Sequence, residues 1–410
     1  MSAKNGWTHQ FRKGVGICLA LALIGSAILA SSASAKKPVL KPTNIIAMGD
    51  SITYGYSQQK FEEAFPAENP EAFEGGFVNL VAKKLAGKEK KAGNGLSPVN
   101  LSCPGELSDG LIGENPGLGG GGENSEGPDS APCGWHNEDG FPRHAEYGPA
   151  SQLEAALGTL LTPEDETKAI TMQIGSNDEL AAVGRCLNPA YRAARGMTLG
   201  EFECLTVEAG PPPINEETKE EEFEGDKLKG KQFYNGGLFP HIITNLGTAV
   251  QVLRTGPAKY AGPIVILGFY NPQALLLPGS DALQKKLNEA LENVILVEGK
   301  FGPGVFYANP FTKFNPQKGN AKEGAAICKY TEECNPHDHY VNFIKYLTKK
   351  FEAEYKMSHE EAEANATAYA EAHKTEAEEF PEGDIHPSAK GHKWLAKIIE
   401  KALLKGESTL

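Results

Sequence analysis

Positive charge and long apolar runs are both scarce in this chain. Its 410 residues carry 40 Lys and Arg against 53 Asp and Glu, a formal net charge of −13. Nucleic acid is held through basic surface that displaces phosphate counterions, so this balance argues against a nucleic-acid partner. A bilayer demands about 20 consecutive apolar residues. The apolar stretch at residues 15–30 is too short for that, and no later segment comes near it. No internal repeat at a fixed period is present, which removes solenoids and propellers. With 40% hydrophobic and 23% charged residues, disordered and fibrous classes do not fit either.

What is present begins with a leader. Lys4, Arg12 and Lys13 precede the apolar stretch, and Ala33-Ser34-Ala35 supplies small residues for cleavage. Residues 1–35 therefore read as a signal peptide cut after Ala35, in preference to an uncleaved anchor. The expectation is a secreted protein with no stable membrane span. Cleavage would leave 410 − 35 = 375 residues and remove three positive charges, taking the net charge from −13 to about −16. That length suits one domain, residues 36–410, with loop insertions at about 105–147 and 184–231.

Cysteine usage agrees with export. Cys18 leaves with the leader, and Cys103, Cys133, Cys186, Cys204, Cys328 and Cys334 remain. An even count in an exported chain suggests disulfides. Pairing neighbours closes short loops with least mutual interference, giving Cys103–Cys133, Cys186–Cys204 and Cys328–Cys334. A zinc site from Cys328, Cys334, His337 and His339 is the rival for the last pair, although its spacing is looser than such sites usually show.

Short apolar runs alternate with amphipathic stretches, the pattern of parallel strands joined by helical crossovers. Strands are predicted at 44–48, 98–102, 168–174, 263–269 and 304–307, and helices at 77–85, 149–161, 239–253, 281–296, 340–370 and 388–404. The class is α/β. Three segments break the alternation. Residues 105–147 are glycine-rich and read as a long surface loop tied down by Cys133, because the glycine run has neither the preceding strand nor the following helix of a phosphate cradle. Residues 184–231, with Pro211-Pro212-Pro213 and an acidic run after them, read as a solvated insertion in preference to a calcium site. Residues 352–379 are dense in Glu and Ala and suit a solvent-facing helix.

The first strand runs into Gly49-Asp50-Ser51-Ile52. A serine beyond the carboxyl end of a strand lies where open α/β sheets bind ligands, although Gly-Asp-Ser alone reads more readily as a polar helix cap. A serine hydroxyl is a poor nucleophile without a base in reach. Asp384-Ile385-His386-Pro387 offers one, a histidine beside a carboxylate able to hold its other ring nitrogen. Acyl transfer also needs donors aimed at the developing oxyanion. Gly105, after strand two, can present a bare backbone N–H, and Asn177, after strand three, can present a neutral amide. Each has a plain reading as a turn or capping residue. The four together, in chain order, are harder to dismiss.

The set Gly49-Asp50-Ser51, Gly105, Gly175-Ser176-Asn177-Asp178 and Asp384-Ile385-His386-Pro387 resembles the four blocks of the SGNH, or GDSL-type, hydrolases. The resemblance implies a three-layer αβα fold around a five-stranded parallel sheet. It also implies Ser51 as nucleophile, His386 as base, and an oxyanion hole from the Ser51 and Gly105 N–H groups and the Asn177 side chain. The stretch from Asn100 to Gly105 is similar to exported actinobacterial esterases and lipases, several with three disulfides in chain order. Two positions depart from the pattern. Ile52 stands where the family name has Leu. The slot three residues before the histidine, where the family's acid commonly stands, is Gly383, with Asp384 two before. The Asp384 carboxylate is preferred to the Gly383 carbonyl as the group that orients His386.

The expected function is ester hydrolysis through an acyl-enzyme, by a carboxylesterase or lipase acting on a small-molecule or lipid ester with no metal or other cofactor. Phe61, Phe65, Phe73, Phe141, Tyr147, Phe269 and Tyr270 are candidate walls for an acyl pocket. A carbohydrate acetylesterase of the same family and a noncatalytic exported binding protein are the alternatives. Acyl length and oligomeric state are not legible.

Overall fold

In the computed structural model the run TNIIAMG becomes strand β1 (Thr43–Gly49), buried at every position. Ile46 and Met48 enter one hydrophobic cluster, Ile45 and Ala47 another on the opposite face. A parallel strand covered on both faces reads as a continuous apolar run, which is why its pattern is unbroken. The described residues are 43–64, 69–89, 96–113, 133, 143–147, 150–163, 165–194, 201–210, 237–274, 279–316, 326–375 and 383–406. All lie in one unit, Leu40–Leu410. The segment read as a signal peptide lies outside them.

After β1 come helices α1 (Ser51–Tyr54), α2 (Gln58–Ala64) and α3 (Phe77–Glu89), strand β2 (Leu96–Asn100), α4 (Ser108–Ile112), α5 (Gln152–Leu160) and β3 (Glu166–Gln173). The chain continues through α6 (Ser176–Leu187), α7 (Pro189–Ala194), α8 (Glu201–Ala209), α9 (Leu238–Thr255), β4 (Ile264–Leu267), α10 (Ser280–Glu292) and β5 (Val305–Ala308). It ends with α11 (Phe311–Phe314), α12 (Ile327–Tyr330), β6 (Thr331–Glu332), α13 (Pro336–Tyr355), α14 (His359–Ala372), β7 (Asp384–Pro387) and α15 (Ala389–Lys405).

The main sheet has five strands in the order β2-β1-β3-β4-β5, every pair parallel. Helices α5, α6, α8, α9 and α10 cover one face, and α3, α11, α12 and α15 the other. The result is the expected three-layer αβα sandwich. Pro98 sits within β2, an edge strand, where a missing N–H leaves no inner ladder bond unmade. The winding reverses between β1 and β3. Open α/β sheets take their ligands in the crevice at such a reversal, beyond the strands' carboxyl ends.

The cysteines pair as expected: Cys103–Cys133, Cys186–Cys204 and Cys328–Cys334, with Cα separations of 5.5, 5.6 and 4.9 Å. The last pairing overturns the zinc alternative, because both thiols are consumed in the bond. Among the described residues no helix is long and apolar enough to cross a membrane.

Several expectations need correction. The segment 184–231, read as a solvated insertion, is partly built into the core: α7 and α8 occupy part of it, and Cys204 and Leu205 of α8 enter the main cluster. The rest of it, including Pro211-Pro212-Pro213, lies outside the described residues, as does most of 105–147. The described start of that loop folds as α4. The helix expected at 340–370 is two helices, broken at Lys356, whose φ of +59° is left-handed. The second of them, α14, is not wholly solvent-facing, because Ala362, Ala366 and Ala370 recur every four residues on a buried stripe. The pairing of β6 with β7 was not foreseen, since strands this short carry no periodicity.

Ile170 is fully buried in β3, the middle strand. Replacing it with Ala is expected to cost about 2–5 kcal/mol of unfolding free energy, read from the denaturant midpoint, and a loss well below 1 kcal/mol would contradict this packing. Peptide mapping without reductant is expected to recover the three neighbour disulfides and no cross-pair.

Candidate active site

β1 ends at Gly49, with φ +153°, where a Cβ would stand 2.1 Å from the Gln173 carbonyl oxygen. Only glycine fits that turn. Asp50 then caps α1, its Oδ1 accepting the Ile52 N–H at 3.0 Å. The cap reading and the reactive-serine reading of this motif are therefore compatible: Asp50 closes the helix start while Ser51 occupies its first position. There the Ser51 N–H has no intrahelical acceptor.

Ser51 Oγ lies 2.7 Å from His386 Nε2, a contact across 335 positions of chain. His386 Nδ1 lies 2.5 Å from Asp384 Oδ1. With Nδ1–H donating to the carboxylate, Nε2 is left to accept the serine proton. Asp384 also accepts the Gln58 N–H at 2.8 Å and the His386 N–H at 3.1 Å. Burial alone would raise its carboxyl. The facing imidazole and these donors outweigh burial and hold it below the usual carboxylate value.

Steric crowding explains why the acid stands two residues before the histidine. A Cβ on Gly383 would sit 1.9 Å from the Glu333 carbonyl oxygen, so a side chain has no room there. Asp384, paired with Glu332 in the β6–β7 ladder, faces the ring instead. The Tyr270 hydroxyl donates to the Ile385 carbonyl at 2.8 Å, and the Tyr56 ring packs 4.6 Å from the imidazole. These two supports were missed as such, because neither belongs to a local motif.

Asn177, near the start of α6, donates from Nδ2 to the Glu106 carbonyl at 2.9 Å. One amide hydrogen is thereby spent on orientation, and the other is left over. Gly105 adopts φ +77° and lines one cavity with Ser51, Asn177 and His386. Asp178 is buried and accepts the N–H and hydroxyl of Ser108 at 2.9 and 2.8 Å, fastening α6 to α4. Ser51, Gly105, Asn177, Asp384 and His386 thus gather at the carboxyl ends of the strands.

Two cavities meet at Ser51 and His386. The first, about 80 Å³, runs past Leu180, Val183, Leu205, Leu238, Phe239 and Leu283. The second, about 330 Å³, is bounded by Tyr56, Gln58, Pro104, Gly105 and Gly383. Of the aromatic residues proposed for an acyl wall, Tyr270 alone among the described ones lines the first cavity. Phe61 and Phe73 pack with Tyr54 and Tyr56, Phe269 is buried in the main core, and Tyr147 donates its hydroxyl to the Leu101 carbonyl. Phe65 and Phe141 lie outside the described residues. Mostly aliphatic side chains of α6, α8, α9 and α10 line this cavity beside Phe239 and Tyr270, and their individual positions leave no motif.

No described protein family matches the chain, and no curated protein does. Among solved structures, TesA is similar at 15% identity over 69% of this chain and 87% of that one, with a TM-score of 0.28. The acetyl xylan esterase Est2A from the rumen bacterium Butyrivibrio proteoclasticus is similar at 12% identity over 66% of this chain and 56% of that one, with a TM-score of 0.26. Likeness this distant carries no functional inference.

Burial pushes Asp50 up to about 6 and Glu106 up to about 7. Unfolded, both would ionise at ordinary carboxylate values, so these two groups bind more protons in the folded chain between about pH 4 and 7; buried His392, pushed down to about 3, opposes them below its ordinary value. Stability is then expected to fall as pH rises through that window. Asp384, shifted the other way, acts only at lower pH. Denaturant midpoints should be lower at pH 8 than at pH 5, with a shallower slope in Glu106→Gln. A flat or rising profile would contradict the assignment.

Proposed function

We propose that this chain is an SGNH-type serine ester hydrolase, exported after removal of residues 1–35, that works through an acyl-enzyme. The observation that carries the reading is the relay Asp384–His386–Ser51, with contacts of 2.5 and 2.7 Å. Ser51 attacks the ester carbonyl as His386 Nε2 takes its proton. The charge forming on the carbonyl oxygen meets the N–H groups of Ser51 and Gly105 and the spare amide hydrogen of Asn177, donors fixed before the reaction. Collapse breaks the bond to the alcohol, which leaves with the proton from His386. Water then repeats the cycle, releasing the acid and restoring Ser51. Asp384 holds the imidazole in the needed tautomer and balances its charge.

The apolar lining of the first cavity favours an aliphatic acyl group, because such a pocket gains by removing methylenes from water. The second cavity, on the Gly105 side, is left for the alcohol. That lining favours a carboxylesterase or lipase over a deacetylase, since an acetyl group offers it only one methyl.

With p-nitrophenyl esters of graded length, kcat/KM is expected to rise from acetate to at least butyrate. A maximum at acetate would favour the carbohydrate acetylesterase. Ser51→Ala should lose at least about 10⁴-fold in kcat, and Asp384→Asn roughly 10³–10⁴-fold. Full activity in Ser51→Ala would overturn the reading. Near-normal activity in Asp384→Asn would move the orienting role to the backbone.

A further inference from the structure

Glu106 is buried, next to Gly105, and has no part in the mechanism above. Its Oε2 accepts the Cys133 N–H at 2.8 Å and the Gln152 side-chain amide at 3.2 Å. Its backbone carbonyl accepts Asn177 Nδ2 at 2.9 Å, and its N–H donates to the Cys103 carbonyl at 3.3 Å. Gln152, also buried, clasps the peptide groups of Gly49, accepting the N–H at 2.7 Å and donating to the carbonyl at 2.9 Å. One residue thus joins the turn after β1, the turn after β2, the amide after β3, and the Cys103–Cys133 disulfide.

We propose that Glu106 is a positioning residue for the oxyanion hole, locking Gly105 and Asn177 in register with Ser51 through Gln152 and Cys133. This rests on the hydrolase reading above. Apolar filling would be the cheaper occupant of such a site, since burying a carboxyl costs free energy, and burial pushes this one up to about 7. An apolar side chain could not accept two converging donors. Misplacing reacting groups by about 1 Å can cost 10²-fold in rate. A donor that meets charge only in the transition state acts on kcat and leaves substrate binding alone.

The test compares Glu106→Met, which fills the space, Glu106→Asp, which keeps the acid but shortens its reach, and Glu106→Gln, whose amide oxygen can accept both donors. With p-nitrophenyl butyrate, Glu106→Met and Glu106→Asp are each expected to lose roughly 10–100-fold in kcat with KM within about twofold. Affinity for a trifluoromethyl ketone, which forms an oxyanion on Ser51, should weaken by the same factor. Glu106→Gln should stay within about threefold of the parent. Wild-type kcat in Glu106→Asp, a loss carried by KM, or Glu106→Gln as impaired as Glu106→Met would overturn the proposal. Glu106→Asp decides the matter if Glu106→Met does not fold. An inactive parent enzyme would instead overturn the hydrolase reading, and this assignment with it.

Discussion

The chemistry of this site depends on one hydrogen bond, between Ser51 Oγ and His386 Nε2 at 2.7 Å. Neither residue has a reason to be near the other in the chain, so the contact exists only if the fold is correct throughout. β1 is buried on both faces and delivers Ser51 through a turn that only glycine can make. His386 arrives from the far end of the sequence on β7, which is held to β6, and β6 follows α12 in the helical layer opposite the first cavity. The Ser388 side chain caps α15 by accepting the Gly391 N–H, and α15 in turn packs on α3 and the sheet. Burial of apolar surface thus fixes two ends of the chain at one rim.

Around that bond the polar groups are arranged in layers of restraint. Asp384 fixes the imidazole, and Gln58 and Tyr270 fix the backbone and side chain around it. Asp178, Ser108, Glu106 and Gln152 fix the donor turns on the other side. Buried carboxylates of this kind are costly unless their oxygens find donors, and these do. The site therefore combines an apolar cavity, which suits an acyl chain, with a rim of oriented donors, which suits an oxyanion. That pairing favours hydrolysis of esters over simple ligand capture.

Much of this was legible before any coordinates. The strands at 44–48 and 168–174 show because parallel strands buried on both faces are continuous apolar runs. Ser51, Gly105, Asn177 and His386 show because each stands in a short motif at a strand end. Asp384 was preferred over the Gly383 carbonyl, but the steric reason, the approach of Glu333 to Gly383, involves a residue fifty positions upstream and could not be read. Glu106 and Gln152 were missed for the same cause: their partners are Cys133 and Gly49, and hydrogen bonds between distant residues leave no periodicity. Helices α7 and α8 were hidden by the polar composition around them. Walls for the cavity beside Ser51 were sought among aromatics, whereas scattered leucines and Val183 on four helices line most of it, with Phe239 and Tyr270.

Active-site labelling tests the account most directly. The folded protein treated with phenylmethylsulfonyl fluoride and mapped by peptide mass spectrometry is expected to carry one modification, on Ser51, and the His386→Ala variant is expected to react far more slowly. Modification at a different serine, or equal reactivity without the imidazole, would contradict the claim that these two side chains act as one unit.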